Sequence, residues 1–208
     1  MSHILRWDGP FTFFDNGDGR WCFAPAGVEE KYRDARGLYL HAVKHDDSYF
    51  AYYVGITTDR DILSRQREHA TEYLSGGYWF CGTDMSSGLD YLYGEPDKKK
   101  AYTYREPDNQ YRKFMNREGD LRQRASDWLN SLHVFYAVPG WSCDTDDIKL
   151  IESAMIHRLL SNKKPGQCGA FCDNAKVSLA PMKDRPVEFD MVFSQGVVVA
   201  GLMDRLTY

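Results

Sequence analysis

The sequence predicts an α+β fold: a small three-stranded, mainly antiparallel sheet flanked by helices. Two alternating apolar runs, residues 38–43 and 49–54, flank the polar turn "KHDDS" and read as a hairpin. A third apolar run, "LHVFYAV" at 132–138, is stopped by Pro139-Gly140. Two stretches of helical period, one after the second strand and one after the third, supply the flanking layers. With 208 residues, 43% of them hydrophobic, the chain suffices for one core with appendages.

The elements follow in order. Residues 1–35, rich in Gly, Asp, Pro and aromatics, read as an N-terminal extension packed on the core, with two short strands around the turn "DNGDG". Residues 36–175 form the core domain. In its first strand Leu38, Leu40 and Ala42 alternate with Tyr39, His41 and Val43; in the second, Tyr49, Ala51 and Tyr53 alternate with Phe50, Tyr52 and Val54. "TTDRDILSRQREHATEYL" follows as a helix, with Thr58 or Asp59 as its N-cap. Residues 76–130 form a long internal insertion, irregular and rich in Gly, Ser and Tyr at first, then helical over 109–130. After the third strand, "DTDDIKLIESAMIHRLL" is a helix whose acidic first turn suits the helix dipole. Residues 176–208 read as a C-terminal extension packed on the core, a hairpin or a strand with a short helix.

A net charge of −4 excludes a uniformly positive surface but leaves room for a local one. Residues 98–124 carry nine Lys or Arg against four acids. Taken alone, that excess is equally a solvated helix and loop surface. Five cysteines at irregular spacing suit a reducing compartment better than a disulfide framework. No run of about 18 apolar residues occurs, and "MSHILRWDGPF" lacks a signal-peptide pattern, so a cytoplasmic protein is expected.

Two helices carry polar residues on apolar stripes. Ile148, Ile151, Met155 and Leu159 form one arc, and Glu152 falls inside it. A carboxylate there costs several kcal/mol unless cations or donors satisfy it. It is a buried salt bridge, a group at the stripe's edge reaching water, or a metal ligand or acid at a cleft floor. On the first helix Ile62, Arg65, His69 and Tyr73 step by three, four and four along one face. Arg65 either pairs with Glu152 across the core or lines a polar site beside the two strands' tyrosines.

The residues "GLY" 37–39, "YVG" 53–55, "RQREH" 65–69 and "LIESAMIHRLL" 150–160, in this order, resemble the GIY-YIG nuclease family. The resemblance covers residues 37 to about 174, interrupted by the insertion. It implies that Tyr39 is the general base or orients the attacking water, and that Tyr53 supports the phosphate site. It further implies that Gly55 allows a close backbone approach, that Arg65 binds the scissile phosphate, and that Glu152 holds the divalent metal. His69 matches a histidine found in part of the family. The asparagine closing the site corresponds to Asn174, which follows the proline as that residue generally does; Asn162 is the alternative.

These residue types suit phosphodiester hydrolysis, which needs a nucleophile and neutralisation of charge on the phosphoryl oxygens. A phenol, with a reference pKa of about 10, is a poor base unless nearby cations stabilise its phenolate. One carboxylate suits Mg²⁺, or another divalent metal such as Mn²⁺, which keeps most of its waters. Arg65 offers a planar fork matched to phosphate. DNA would be gripped by the insertion, where "KKKAYTYREPDNQYRKF" interleaves basic and aromatic residues. Lys98, Lys99, Lys100, Arg105, Arg112, Lys113 and Arg117 are the candidate contacts.

The expected activity is thus a metal-dependent endonuclease acting on double-stranded DNA, of the restriction-enzyme kind. The alternatives are a nucleic-acid-binding module on the same scaffold with little or no cleavage, and a protein–protein interaction factor. One site per chain cuts both strands as a homodimer or by sequential nicks, and the sequence does not choose between them.

Overall fold

The structure, a computed structural model, describes residues 3–15, 21–22, 28–45, 47–74, 118–161, 188–202 and 205–207. Among the described residues its sheet has seven strands and is mixed, which corrects the expectation of a small three-stranded sheet. The elements are β1 (His3–Thr12), β2 (Phe14–Asp15), β3 (Trp21–Cys22), α1 (Val28–Tyr32), β4 (Gly37–His45), β5 (Ser48–Thr57), α2 (Ile62–Leu74), α3 (Glu118–Ser131), β6 (Leu132–Ala137), α4 (Thr145–Ser161), β7 (Glu188–Phe193), β8 (Val199–Ala200) and β9 (Arg205–Thr207). The large sheet runs β8-β5-β4-β6-β1-β7-β9, and β2 and β3 form a separate ribbon.

The three expected strands lie side by side as β5-β4-β6, each pair antiparallel. The extensions then continue the sheet from both sides. β1 pairs antiparallel with β6, β7 parallel with β1, β9 antiparallel with β7, and β8 parallel with β5 at Tyr49 and Phe50. The physical reason is edge satisfaction: β6 standing alone would leave a row of backbone donors and acceptors unpaired. β1 also brings Leu5 and Trp7 into the core, both essentially sealed from solvent. Residues 3–12 thus supply an inner strand of the sheet, between β6 and β7.

Strand alternation divides the core in two. Tyr39, Val43, Val134 and Tyr136 face α2 and α3, packing on Ile62, Leu63, Ala70, Tyr73, Trp128 and Leu129. Leu38, Leu40, Ala42, Phe135 and Ala137 face the other way, onto Ile148, Ile151, Met155 and Leu159 of α4. Helices thus cover both faces of the sheet, with α4 packed chiefly on β5.

The helix starts are set by aspartates. Asp61 Oδ1 accepts from the Ser64 backbone N–H at 2.8 Å, so Asp61 caps α2, not Thr58 or Asp59. Asp59 instead pairs with Arg60. At α4, Asp144 Oδ1 accepts from the Asp147 N–H at 2.8 Å and Asp147 Oδ2 from the Asp144 N–H at 3.4 Å, a reciprocal cap. The helix expected over 109–130 is described from Glu118, as α3. Among the described residues no helix is long and apolar enough to cross a membrane.

Candidate functional site

β4 and β5 pair Tyr39 directly with Gly55, and β6 places Tyr136 on the other side of Tyr39. The phenol of Tyr39 lies over position 55: a Cβ there would sit 2.3 Å from Tyr39 Oη and 2.4 Å from Cζ. Glycine is what lets this ring lie flat along the neighbouring strand. Gly37 meets a similar limit, since its Cβ would fall 2.4 Å from the Ala137 carbonyl oxygen.

Around Tyr39 stand three more rings. Tyr39, His41, Tyr53 and His69 are all mutual neighbours, with centroid separations from 5.1 Å (His41 to His69) to 5.9 Å (Tyr39 to Tyr53). Two hydrogen bonds join strand to helix within this group. Tyr39 Oη lies 2.8 Å from His69 Nε2, and His41 Nε2 lies 2.6 Å from Gln66 Oε1. The Tyr39 hydroxyl also hydrogen-bonds with the Arg65 guanidinium and with Tyr53.

The cluster is stratified by exposure. Tyr39 is 1% exposed and His41, Gln66 and His69 are buried, whereas Tyr53 is half-buried and the Arg65 side chain 22% exposed. Burial pushes the Tyr39 phenol well above its ordinary pKa, and Tyr53 adds to this; the pull of Arg65 in the other direction is outweighed. Its resting form is the neutral phenol. Burial pushes His41 down to about 4, with Arg65 acting the same way against the Gln66 hydrogen bond, so this ring is neutral at pH 7.

Arg65 pairs with Glu68 at 2.8 Å, and the same carboxylate is held by Arg60. Burial alone would raise the Glu68 pKa, but the hydrogen bonds from Arg60 and Arg65 bring it below the ordinary value. The alternative in which Arg65 pairs with Glu152 is thereby replaced. Arg65 also stands on the flank of its helix face, where the buried stripe runs Ile62, Gln66, His69, Tyr73.

Glu152 lies on α4, among residues that pack on the face of the sheet opposite Tyr39. Burial, the sole cause, raises its pKa to about 7, and among the described residues it has no ion-pair or hydrogen-bond partner. The structure thus brings Tyr39, Tyr53, Arg65 and His69 together and sets Glu152 across the sheet from them. The strand between them, β5, has no partner on its outer edge beyond Phe50 among the described residues. Among the described residues no group of three or more His, Cys, Asp or Glu could hold a metal. Glu152 fits a hard cation by its donor chemistry: a desolvated oxygen pair that no cation among the described residues neutralises. Asn162, Asn174 and the basic residues Lys98, Lys99, Lys100, Arg105, Arg112, Lys113 and Arg117 lie outside the described residues.

Sequence reasoning missed His41 and Gln66. The signal was present: His41 is two residues beyond Tyr39 on a strand, and Gln66 three before His69 on a helix, so each shares its partner's face. No protein-family model, curated protein or solved structure matches the chain.

Proposed function

We propose that the protein is a divalent-metal-dependent DNA endonuclease with a GIY-YIG-like site, of the restriction-enzyme kind. The observation that carries this reading is the Tyr39 hydroxyl, set between the Arg65 guanidinium and His69 Nε2. Arg65, partly exposed, docks a backbone phosphate through its fork, and half-buried Tyr53 supports it. Because the Tyr39 phenol is neutral, it serves as a base only by passing on its own proton. The attacking water gives a proton to Tyr39 Oη while Tyr39 gives its proton to His69 Nε2. The water oxygen forms the new bond to phosphorus, the bond to the sugar oxygen breaks, and that oxygen takes a proton from solvent.

Glu152 would hold Mg²⁺ or Mn²⁺, which when bound neutralises charge on the phosphoryl oxygens. Duplex DNA is gripped by the basic residues of the insertion, in a monomer that nicks or a homodimer that cuts both strands. A cytoplasmic setting agrees with the irregularly spaced cysteines. Supercoiled plasmid incubated with Mg²⁺ is expected to be nicked, and EDTA to stop the reaction. Absence of nicking on varied plasmids in Mg²⁺ and in Mn²⁺ overturns this reading.

Two observations favour the second reading, a binding module with little cleavage: Tyr39 is sealed, and Glu152 stands across the sheet. Under that reading the plasmid is retarded in a gel but stays intact.

A further inference from the structure

His41 and Gln66 are both fully buried polar side chains joined by one hydrogen bond. Gln66 Oε1 only accepts, so His41 carries its proton on Nε2. His41 Nδ1 and the Gln66 amide nitrogen then have no hydrogen-bond partner among the described residues. Two apolar side chains of similar volume would fill this space without leaving such groups desolvated. Stability is therefore a poor reason for the pair.

Its placement supplies a better one. Positions 39 and 41 on β4 reach positions 69 and 66 on α2 through two hydrogen bonds side by side. Two such rungs fix both the rotation and the axial position of α2 against β4, where one rung would leave the helix free to turn. The His41 ring also stands edge-to-face with His69, at 5.1 Å and 75°, and touches both phenols. Among the described residues the charged or titratable groups facing His41 are Tyr39, Tyr53, His69 and Arg65. A neutral His41 ring places no charge beside His69.

We propose that the His41–Gln66 pair is a positioning device that holds His69 with a bare Nε2 aimed at the Tyr39 hydroxyl. This rests on the nuclease reading for its purpose, but not for its test. Arg65 can only donate, so it occupies one acceptor site of the Tyr39 oxygen. With the single Tyr39 proton directed at His69, the second acceptor site is the one the attacking water would use.

The test is ¹⁵N imidazole NMR on the whole chain, with nicking measured in parallel. In the wild type, His69 is expected as the Nδ1–H tautomer with Nε2 unprotonated. Gln66→Met and His41→Phe each remove the second rung; both are expected to mix the His69 tautomers and to slow nicking about 10- to 100-fold at unchanged KM for DNA. His41→Gln, which restores a donor to Gln66 Oε1, is expected to recover part of the loss. Either Phe or Met variant suffices if the other fails to fold. A protonated His69 Nε2 in the wild type overturns the inference, as does an unchanged His69 spectrum in a folded variant. A wild type that never nicks removes the nuclease reading alone, because the spectra still decide the placement of His69.

Discussion

The Tyr39 hydroxyl occupies the space that a side chain on Gly55 would need, 2.3 Å from where its Cβ would be. The two residues face each other across the β4–β5 ladder, so the ladder fixes which position the phenol covers. The position of the phenol is therefore written into the backbone of its neighbour.

Gly55→Ala is expected to push the phenol off His69 and Arg65. The added methyl costs about 1–3 kcal/mol as overpacking, read as a lower urea midpoint. Nicking should fall far more than stability. A variant that nicks at the wild-type rate would mean that Tyr39 need not hold this place.

Glu152 gives a pH prediction with a definite sign. Its carboxyl has an ordinary value of 4.5 and is raised to about 7 in the fold, so between these values the folded state holds more protons than the unfolded one. Stability therefore falls as pH rises from about 4.5 to 7, by something on the order of 2–3 kcal/mol. Glu152→Gln should flatten that limb, unfold at a higher temperature than the wild type at pH 8, and abolish cleavage. Mg²⁺ should raise the wild-type Tm at pH 8 and leave that of the variant unchanged. Equal Mg²⁺ shifts in both proteins would place the metal elsewhere.

Under the nuclease reading Glu68, which pairs with Arg65, would compete with phosphate for it. Glu68→Gln removes the competing charge, so tighter DNA binding at low salt is expected from fluorescence anisotropy. Arg65→Ala should instead lower kcat/KM by about 10²- to 10³-fold. If Glu68→Gln weakens binding, the pair orients Arg65 rather than restraining it.

Arg112→Ala with Lys113→Ala tests the insertion. Each lost phosphate contact lowers the slope of log K against log salt by about 0.9, so the double variant should flatten it by roughly 2. An unchanged slope would move the gripping surface away from the insertion.

How much of this was legible follows from the range of the interactions. β4, β5 and β6 announced themselves because alternation is a local property: Leu38 and Leu40 go to one face, Tyr39 and His41 to the other. The site tyrosines, Arg65 and His69 converge for the same reason. β1 was hidden because Gly9 and Pro10 interrupt it, and its ladder to β6 shifts register between Asp8 and Phe11. Its parallel pairing with β7 joins residues at opposite ends of the chain, which no local pattern can show. Asp59 and Asp61 are equivalent as letters, and only the turn geometry makes Asp61 the cap. Glu152 sat correctly on its apolar arc, but periodicity does not say which face of the sheet that arc covers.

The central place of β1 has a consequence for how the chain comes together. Residues 3–12 leave the ribosome long before their partners at 132–137 and 188–193 exist. Until then Leu5 and Trp7 have nothing to bury against on either side. Completion of the sheet is thus a late, long-range event, slow by topology. Removing β1 or β7 would leave the other without its parallel partner, so the sheet is completed only when both are present.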